Sequence, residues 1–545
     1  MASLLDNVRS FVGARLGKAP RRKGVDAAEV AARFHAKYQE LRAKYDAVQP
    51  GGENDRHWQN ADGLSAEAAA SPAVRHKLMR RARYEVQENN CHGKGILLKH
   101  AFSVVGRCPK MQVESDNEEF NDLVEKWFGV WARAVKLGQK LRTMAMAKTC
   151  DGEAFAVMFT NRKRKGVQLD LRLVEAEQVA TPDLPWGTPN YIDGIKFDGD
   201  GNPVHYDILK HHPGGNDFSV NPLDYQHYRA ADVLHWFRED RGNQKRGVCE
   251  FAPALPLFAM LRRFTLATIA AAETAADFAG VLHTNVNNLD DGPEETKTLD
   301  LIDVEMRSLL TLPEGWDMRQ FAAEHPATTF DMFERVILTQ MAQCVLQPYN
   351  IAAGDSSDHN FASGRLDHRL YDTYVGVERY DAECGLLAKL AEAWYREFRL
   401  LARMTGLYTG DMPEFEELEI TWLWDSADMA VDPNREANGE NTRLGNGSLT
   451  FAELLGGRGR DWRKSFKQTA KELGLTVPEL QKKIANKLFE SPAMAAAMQE
   501  GGPEGSDDED DTEVGDGQSA EGGKKPVKKR PVKKKARSKP VATAN

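Results

Sequence analysis

The stretch that most constrains this chain is 327–404: a helix, a short polar loop, and a second helix too long for one small domain. Across 327–346 the apolar residues Phe330, Phe333, Ile337, Met341 and Cys344 recur every three or four positions. That spacing makes one buried stripe on an α-helix. Thr328 followed by Asp331 loosely fits a capping box, and Pro348 is expected to stop the helix. The segment 350–362 is small and polar apart from single apolar residues. It carries Asp355, Ser356, Ser357, Asp358, His359, Asn360 and Phe361. Helical spacing resumes near Ser363 and holds through Leu366, Leu370, Tyr374, Val377, Cys384, Leu387, Trp394, Phe398 and Leu401. At 1.5 Å per residue this second helix would run for about 60 Å, roughly twice a small domain's diameter. It requires a long partner or copies of itself.

The chain offers a companion for the first helix. Residues 257–279 are apolar early and alanine-rich late (Ala267, Ala270, Ala271, Ala272, Ala275, Ala276, Ala279), and small residues let a neighbouring helix approach closely. Between the two lies an insert, 280–326, read as a small α+β element. It has a strand at 281–284, an acidic turn at 290–293, strand-like 308–312, the turn Pro313-Glu314-Gly315 and strand-like 318–322. Two helices flanking one insert make a stalk with a tip.

The length of 545 residues allows about three or four domains, and 41% hydrophobic content suffices for real cores. The net charge of −9 hides an asymmetry. Residues 500–521 hold ten acidic side chains and no basic one, while 524–539 hold ten Lys or Arg and no acidic one. This tail, with its duplicated Pro-Val-Lys-Lys-Arg/Lys runs, cannot pack a core and is expected to be disordered. Lys528, Lys529, Arg530, Lys533, Lys534 and Lys535 are candidate DNA contacts there. Six cysteines stand singly without zinc or disulfide spacing, which fits buried thiols in a reducing compartment. No apolar run approaches eighteen residues and no signal-peptide core is present, so the expectation is an intracellular, soluble chain with no membrane partner.

In chain order, residues 1–18 place Leu4, Leu5, Val8, Phe11, Val12 and Leu16 on one helical face. This fits a docking arm, a membrane-surface helix or a transit peptide. Pro72 opens a basic helix with Arg75, His76, Lys77, Arg80, Arg81 and Arg83, read either as a phosphate-binding cluster or as a solvated or subunit-contact face. A helix from about Gly95 leads to strand-like 110–113. Residues 118–146 form a helical pair pivoting near Gly138, with Phe120, Leu123, Trp127 and Trp131 on one face. From Ala154 the period becomes two, giving strands at 155–159 and 169–173 joined by a basic turn, and a buried strand at 232–237. Strand-like 418–424 follows the long helix, then a helical region from Pro433 to about 490.

No phosphate-binding glycine loop, dinucleotide fingerprint or His-Glu-x-x-His is present, and the expectation is a non-enzyme without cofactor. Ser357, Asp358 and His359 have the residue types of a hydrolytic triad, but adjacent residues on one loop rarely reach its geometry. Asp151-Gly152-Glu153 offers two carboxylates with nothing else converging in sequence. Asp198-Gly199-Asp200-Gly201-Asn202 opens like a calcium loop. Pro203 stands where the glycine is needed, so a hairpin turn is expected. His211-His212, with His205 nearby, shows no carboxylate or cysteine at ligand spacing, so no metal is expected.

Several segments, in order and spacing, resemble the lambda-type portal proteins of tailed bacteriophages. They are "LMRRARYEVQENNCHGKGILLKHAFSVVGRCPKMQV" (78–113), "AMAKTCDGEAFAVM" (145–158), "DGIKFDGDGNPVHYDILKHHPG" (193–214), "YRAADVLHWFREDRGNQKRGVCEFAPAL" (228–255), an ungapped run from "LTLPEGWDMRQFAAEHPATTFDMFERV" to "SGRL" (310–366), and "DMAVDPNREANG" (428–439). Phe361 stands where a tyrosine is usual. Cys344 and Leu346 replace glycines at the end of the helix, and the tail is outside the family pattern.

The resemblance implies an α+β, mainly helical portal fold with wing, stem, clip and crown, assembled as a dodecameric ring at one capsid vertex. The expected division is an N-terminal arm (1–64), wing (65–250), first stem helix (251–279), clip (280–326), second stem helix (327–348), tunnel loop (349–362), long wing helix with return strand (363–427), crown (428–490) and tail (491–545). Implied partners are further copies of the chain, double-stranded DNA in the channel, the terminase large subunit, head-completion or adaptor proteins, and major capsid and scaffold proteins. The implied location is the virion, with assembly in the host cytoplasm. A pore must let a polyanion slide, and each fixed cation adds salt-dependent affinity. The loop residues Asp355, Ser356, Ser357, Asp358, His359, Asn360 and Phe361 include no Lys or Arg, which agrees with a channel rather than a tight DNA site. The alternative is a nucleic-acid-binding protein acting through its basic tail.

Overall fold

Burial of aromatic side chains against the long helix organises the largest core. The computed structural model describes residues 56–61, 63–181, 190–215, 224–277, 281–284, 316–319, 327–357, 361–425 and 433–489. The expectations for 1–18, 290–293, 308–312, residues 358–360 and the tail lie outside them. The chain divides into two compact units, Met1–Gly474 and Leu475–Asn545.

In the first unit a single helical turn, Ala66–Ala69, precedes α1 (Pro72–Ala82), which runs on as a π-helical turn, Arg83–Glu88. Next come α2 (Cys91–Val105) and β1 (Lys110–Glu114), then α3 (Glu118–Ala134) and α4 (Leu137–Asp151). Asn90 and Asn117 cap α2 and α3 by accepting from the backbone N–H groups of Gly93 and Phe120. The break between α3 and α4 falls at Lys136, left-handed at φ 56°, two residues before the expected Gly138. Gly138 serves packing instead: a Cβ there would sit 2.0 Å from the Arg107 carbonyl.

Three strands, β2 (Glu153–Thr160), β3 (Leu169–Val174) and β8 (Val233–Phe237), form an antiparallel sheet with β2 in the middle. Because β2 is covered on both faces, its first six residues are all buried and the period-two alternation is lost. A second antiparallel sheet runs in the order β4 (Tyr191–Ile192), β5 (Ile195–Phe197), β6 (Pro203–Leu209), β7 (Tyr225–Arg229). Asp198 to Asn202 turn between β5 and β6, with Asp198 Oδ1 accepting from the N–H groups of Asp200 and Asn202.

Helix α5 (Leu255–Asp277) leads to the short hairpin strands β9 (Val281–Thr284) and β10 (Trp316–Arg319), paired antiparallel. β10 starts two residues earlier than expected. The chain returns as α6 (Ala327–Ala342), so position 328 falls inside the helix rather than ahead of it. Pro348 does not end α6 either. The helix tightens into a 3₁₀ turn, Gln343–Val345, and stops at Leu346, left-handed at φ 50°. Pro348 instead caps α7 (Tyr349–Ala353), which occupies the start of the segment expected to be loop.

The long helical path begins at Phe361, two residues before Ser363, as α8 (Phe361–Ala382). It continues through a π turn (Glu383–Leu387) into α9 (Ala388–Thr405), which Gly406 ends at φ 66°. The π turn re-phases the helix. Before it the buried positions are Tyr371, Val375, Glu378 and Ala382; after it they are Leu390, Ala391, Trp394, Tyr395, Phe398 and Ala402. Trp394 is fully buried, stacked on Phe398 at 5.0 Å and edge-on to Phe128 at 5.1 Å. On α3 the deepest residues are Phe120, Val124, Phe128 and Trp131, with Leu123 and Trp127 at the margin, one position off the expected face. Strand β11 (Glu419–Leu423) pairs antiparallel with β1, joining sequence-distant segments. Then follow α10 (Pro433–Gly445), α11 (Phe451–Gly457), opened by a Thr450–Glu453 capping box, and α12 (Trp462–Leu473). The described part of the second unit contains α13 (Val477–Phe489).

Candidate functional site

Helices α5 and α6 lie side by side. Phe264 stacks on Phe330 with ring centroids 5.6 Å apart and tilts against Phe333 at 4.9 Å. At the other end of the pair, Phe258 and Leu261 share one core with Ile337, Leu338, Met341 and Ala342. The stripe read from sequence is thus graded: Ile337 and Met341 are buried, Phe330 and Cys344 half-buried, and Phe333 exposed. This base of the pair is fixed to α2 and the π turn. Phe258 packs so closely on Gly93 that a Cβ would come within 3.0 Å, His92 pairs with Glu334 at 3.2 Å, and Arg262 pairs with Glu85 at 3.1 Å.

Outside these contacts, apolar side chains of both helices are left uncovered. Met260, Leu266 and Ile269 on α5 and Met332 and Val336 on α6 are exposed. The stretch Ala252–Glu273 is long and apolar enough to cross a membrane by length and composition, and 22% of its most apolar eighteen-residue window is buried. It also carries Arg262 and Arg263.

The loop after α6 is held by its own carbonyls. Lys99 Nζ donates to the carbonyls of Ile351 (2.8 Å) and Ala352 (3.0 Å), and a cation at the end of α7 is favourably placed. Gly354 then turns at φ 76°. Asp355, Ser356 and Ser357 are exposed, and Asp355 Oδ1 accepts from the Ser357 N–H (2.9 Å) and hydroxyl (2.5 Å). Ser357 is therefore engaged in a local turn with Asp355. Asp358, His359 and Asn360 lie outside the described residues, and Phe361 opens α8.

Sequence reasoning left Asp151-Gly152-Glu153 isolated; the structure makes it the meeting point of the first unit. Glu153 is buried and accepts from Arg246 Nη2 (2.7 Å) and Nε (2.8 Å), Arg75 Nη1 (3.1 Å), His235 Nε2 (3.2 Å) and the Gly247 N–H (3.2 Å). Burial pushes its carboxyl up, but Arg246, the hydrogen bonds from His235 and Arg246, and the charge of Arg75 outweigh it and hold the group well below the usual range. Asp193 supplies a second carboxylate to both arginines. Two backbones meet here: a Cβ on Gly247 would lie 2.0 Å from the Gly152 carbonyl, and Gly152 sits at φ 95°. Asp151 takes Arg83 through two bonds of 2.8 Å. One helical turn earlier, Lys148 bonds Glu378 on the long helix and lies 2.9 Å from Glu250 Oε1 without aligning to it. Burial pushes Glu250 up against the pull of Lys148. Glu378, also pushed up by burial, is held low by the charge and hydrogen bond of Lys148.

The basic face of α1 is consumed by this arrangement. Arg75 is buried, Arg80 pairs with Glu177 at 2.8 Å, and Arg83 takes Asp151, so these three serve internal pairing rather than a phosphate cradle. The sequence did carry a signal: Glu153 opens a strand otherwise apolar, and a charge in such a place demands partners.

Against that frame, the sequence model of the lambda family of phage portal proteins matches residues 52–374, more than half of the chain. The chain belongs to this portal family. The match spans α1 through most of α8, including the α5–α6 pair, the loop and the Glu153 hub. Among solved structures, the neck of a native GTA particle computed with C12 symmetry is 13% identical, with a TM-score of 0.37, over 71% of this chain and 94% of that one. The virion of a native gene transfer agent particle gives 14% and 0.39 over 71% and 94%. The neck of an empty GTA particle computed with C6 symmetry gives 14% and 0.38 over 74% and 95%. TM-scores this low do not establish a shared whole-chain fold, so the family assignment rests on the sequence model. A search of curated proteins finds no match.

Proposed function

We propose that this chain is the portal subunit of a phage-like particle. Copies form a ring, dodecameric as the family resemblance implies, at one vertex of the capsid. Double-stranded DNA enters through the ring under terminase and leaves through it. In this reading α5 and α6 are the stem, 280–326 the clip that meets terminase and then head-completion or adaptor proteins, and 350–362 the tunnel loop. The long α8–α9 path and the sheets form the wing, and the region from about 428 the crown, facing capsid and scaffold proteins. The assembled ring belongs to the virion, with assembly in the host cytoplasm.

The observation that carries the reading is the α5–α6 pair: packed on each other and on α2 at one end, yet apolar and uncovered along Met260, Leu266, Ile269, Met332 and Val336. A face of this kind on paired helices calls for a partner. A second copy of the same pair is one that fits a chain of this family. The loop supports a sliding rather than a gripping role, since its described tip presents Asp355 and two serines and no cation.

The test is native mass spectrometry of the full chain at physiological salt beside an Ile269→Lys, Val336→Lys variant. The wild type is expected as one closed oligomer of about twelve copies, and the variant as folded subunits that do not close. A wild type that stays monomeric at micromolar concentration overturns the reading.

A further inference from the structure

We propose that His205, Asp207 and His227 form a site for one divalent transition-metal cation of the zinc class, which clamps edge strand β7 to β6. The residues come together through register. His205 and Asp207 stand two apart on β6 and so share a face, and Asp207 lies directly across from His227 on β7. The candidate ligand atoms of the three all fall within 4.8 Å of one another, and the Asp207 carboxylate bonds His227 Nδ1. A tetrahedral ion with bonds of about 2.0–2.1 Å separates its ligand atoms by roughly 3.3 Å, a distance that rotation of two imidazoles can reach.

The chemistry of the set selects the class of ion. Two imidazoles and one carboxylate suit zinc, copper, nickel or iron, whereas calcium and magnesium prefer all-oxygen shells. Asp207 is buried, and among the described residues its ion-pair partners are the two imidazoles rather than a Lys or Arg. The groups facing His205 from the strands on either side are Lys196, on β5, and Arg229, on β7. Arg229 is engaged by Asp232. His227 is exposed, which leaves a fourth position open to water.

The neighbouring trio Glu175, Glu177 and His212 has similar spacing but is already neutralised, with Arg80 and Arg83 on Glu177 and Arg83 also on Glu175. Strand β7 is the edge of its sheet, so an ion between it and β6 would fix the strand where hydrogen bonds run on one side only.

The experiment uses full-length protein stripped with a chelator, titrated with Co²⁺ by visible absorption and then competed with Zn²⁺. One equivalent of Co²⁺ per chain is expected, displaced by Zn²⁺, with affinity at least about tenfold weaker in His227→Ala and unchanged in His212→Ala. Zn²⁺ should raise the thermal midpoint of the wild type and not of His227→Ala, whose exposed side chain can be removed without loss of fold. Absence of Co²⁺ uptake, or equal uptake by wild type and His227→Ala, overturns the site and leaves an ordinary His–Asp ion pair.

Discussion

Glu153 is one carboxylate that several cations depend on, and its removal strands them. Glu153→Ala should cost about 3–5 kcal/mol in chemical unfolding, because Arg246 and Arg75 stay buried without their main counter-charge. His100 gives a pH dependence. Burial, with Lys148 adding to it, pushes its imidazole from the ordinary 6.5 down to about 4. The unfolded chain takes a proton near pH 6.5 that the folded chain refuses until about pH 4. Stability is therefore full above 6.5 and falls as pH drops through that window, by up to about 3 kcal/mol. His100→Gln should flatten this part of an unfolding-versus-pH curve. Leu346 holds a left-handed conformation that costs a branched side chain about 1–2 kcal/mol, and it is half-exposed. Leu346→Gly should therefore leave the thermal midpoint unchanged or raise it slightly, and a clear fall would mean that the side chain packs usefully.

Among the elements, close backbone approach sets the geometry of the Glu153 hub. Gly247→Ala should destabilise by more than about 3 kcal/mol, since its Cβ would meet the Gly152 carbonyl, which cannot swing away as a side chain can. Periodicity made most elements legible: α5, α6, the long helix, β2, β3, β8 and β11 fall within a few residues of where the spacing of apolar residues puts them. Where the reading slipped, the cause was local. Leu346 takes the backbone conformation expected of glycine, so the sequence points to Pro348 as the end of α6 instead. The short α7 has too few residues for a period. The π turn at 383–387 absorbs a phase shift that a single 3.6-residue pattern averages away. The hub is not legible in the sequence because its members, Arg75, Asp193, His235 and Arg246, are spread over some 170 residues and come from α1, the β4–β5 turn, β8 and the loop after it, which only the tertiary fold gathers round Glu153. The same holds for Asp207 and His227, which only the β6–β7 register unites.

For the whole molecule, the proposed ring turns on the apolar face of the α5–α6 pair, and the tail is a separate matter. Deleting 491–545 should leave ring formation intact while changing salt-dependent DNA retention, if the ten cations of 524–539 act on packaged DNA. If the truncated chain alone lost the ability to assemble, the tail and not the helix pair would be the organising element. The most direct measurement is a class-averaged electron-microscope image of the purified full-length particle. A closed ring with an axial hole lined by α5–α6 pairs from neighbouring copies is expected. Solitary subunits, or an assembly in which those two helices face solvent, would contradict it.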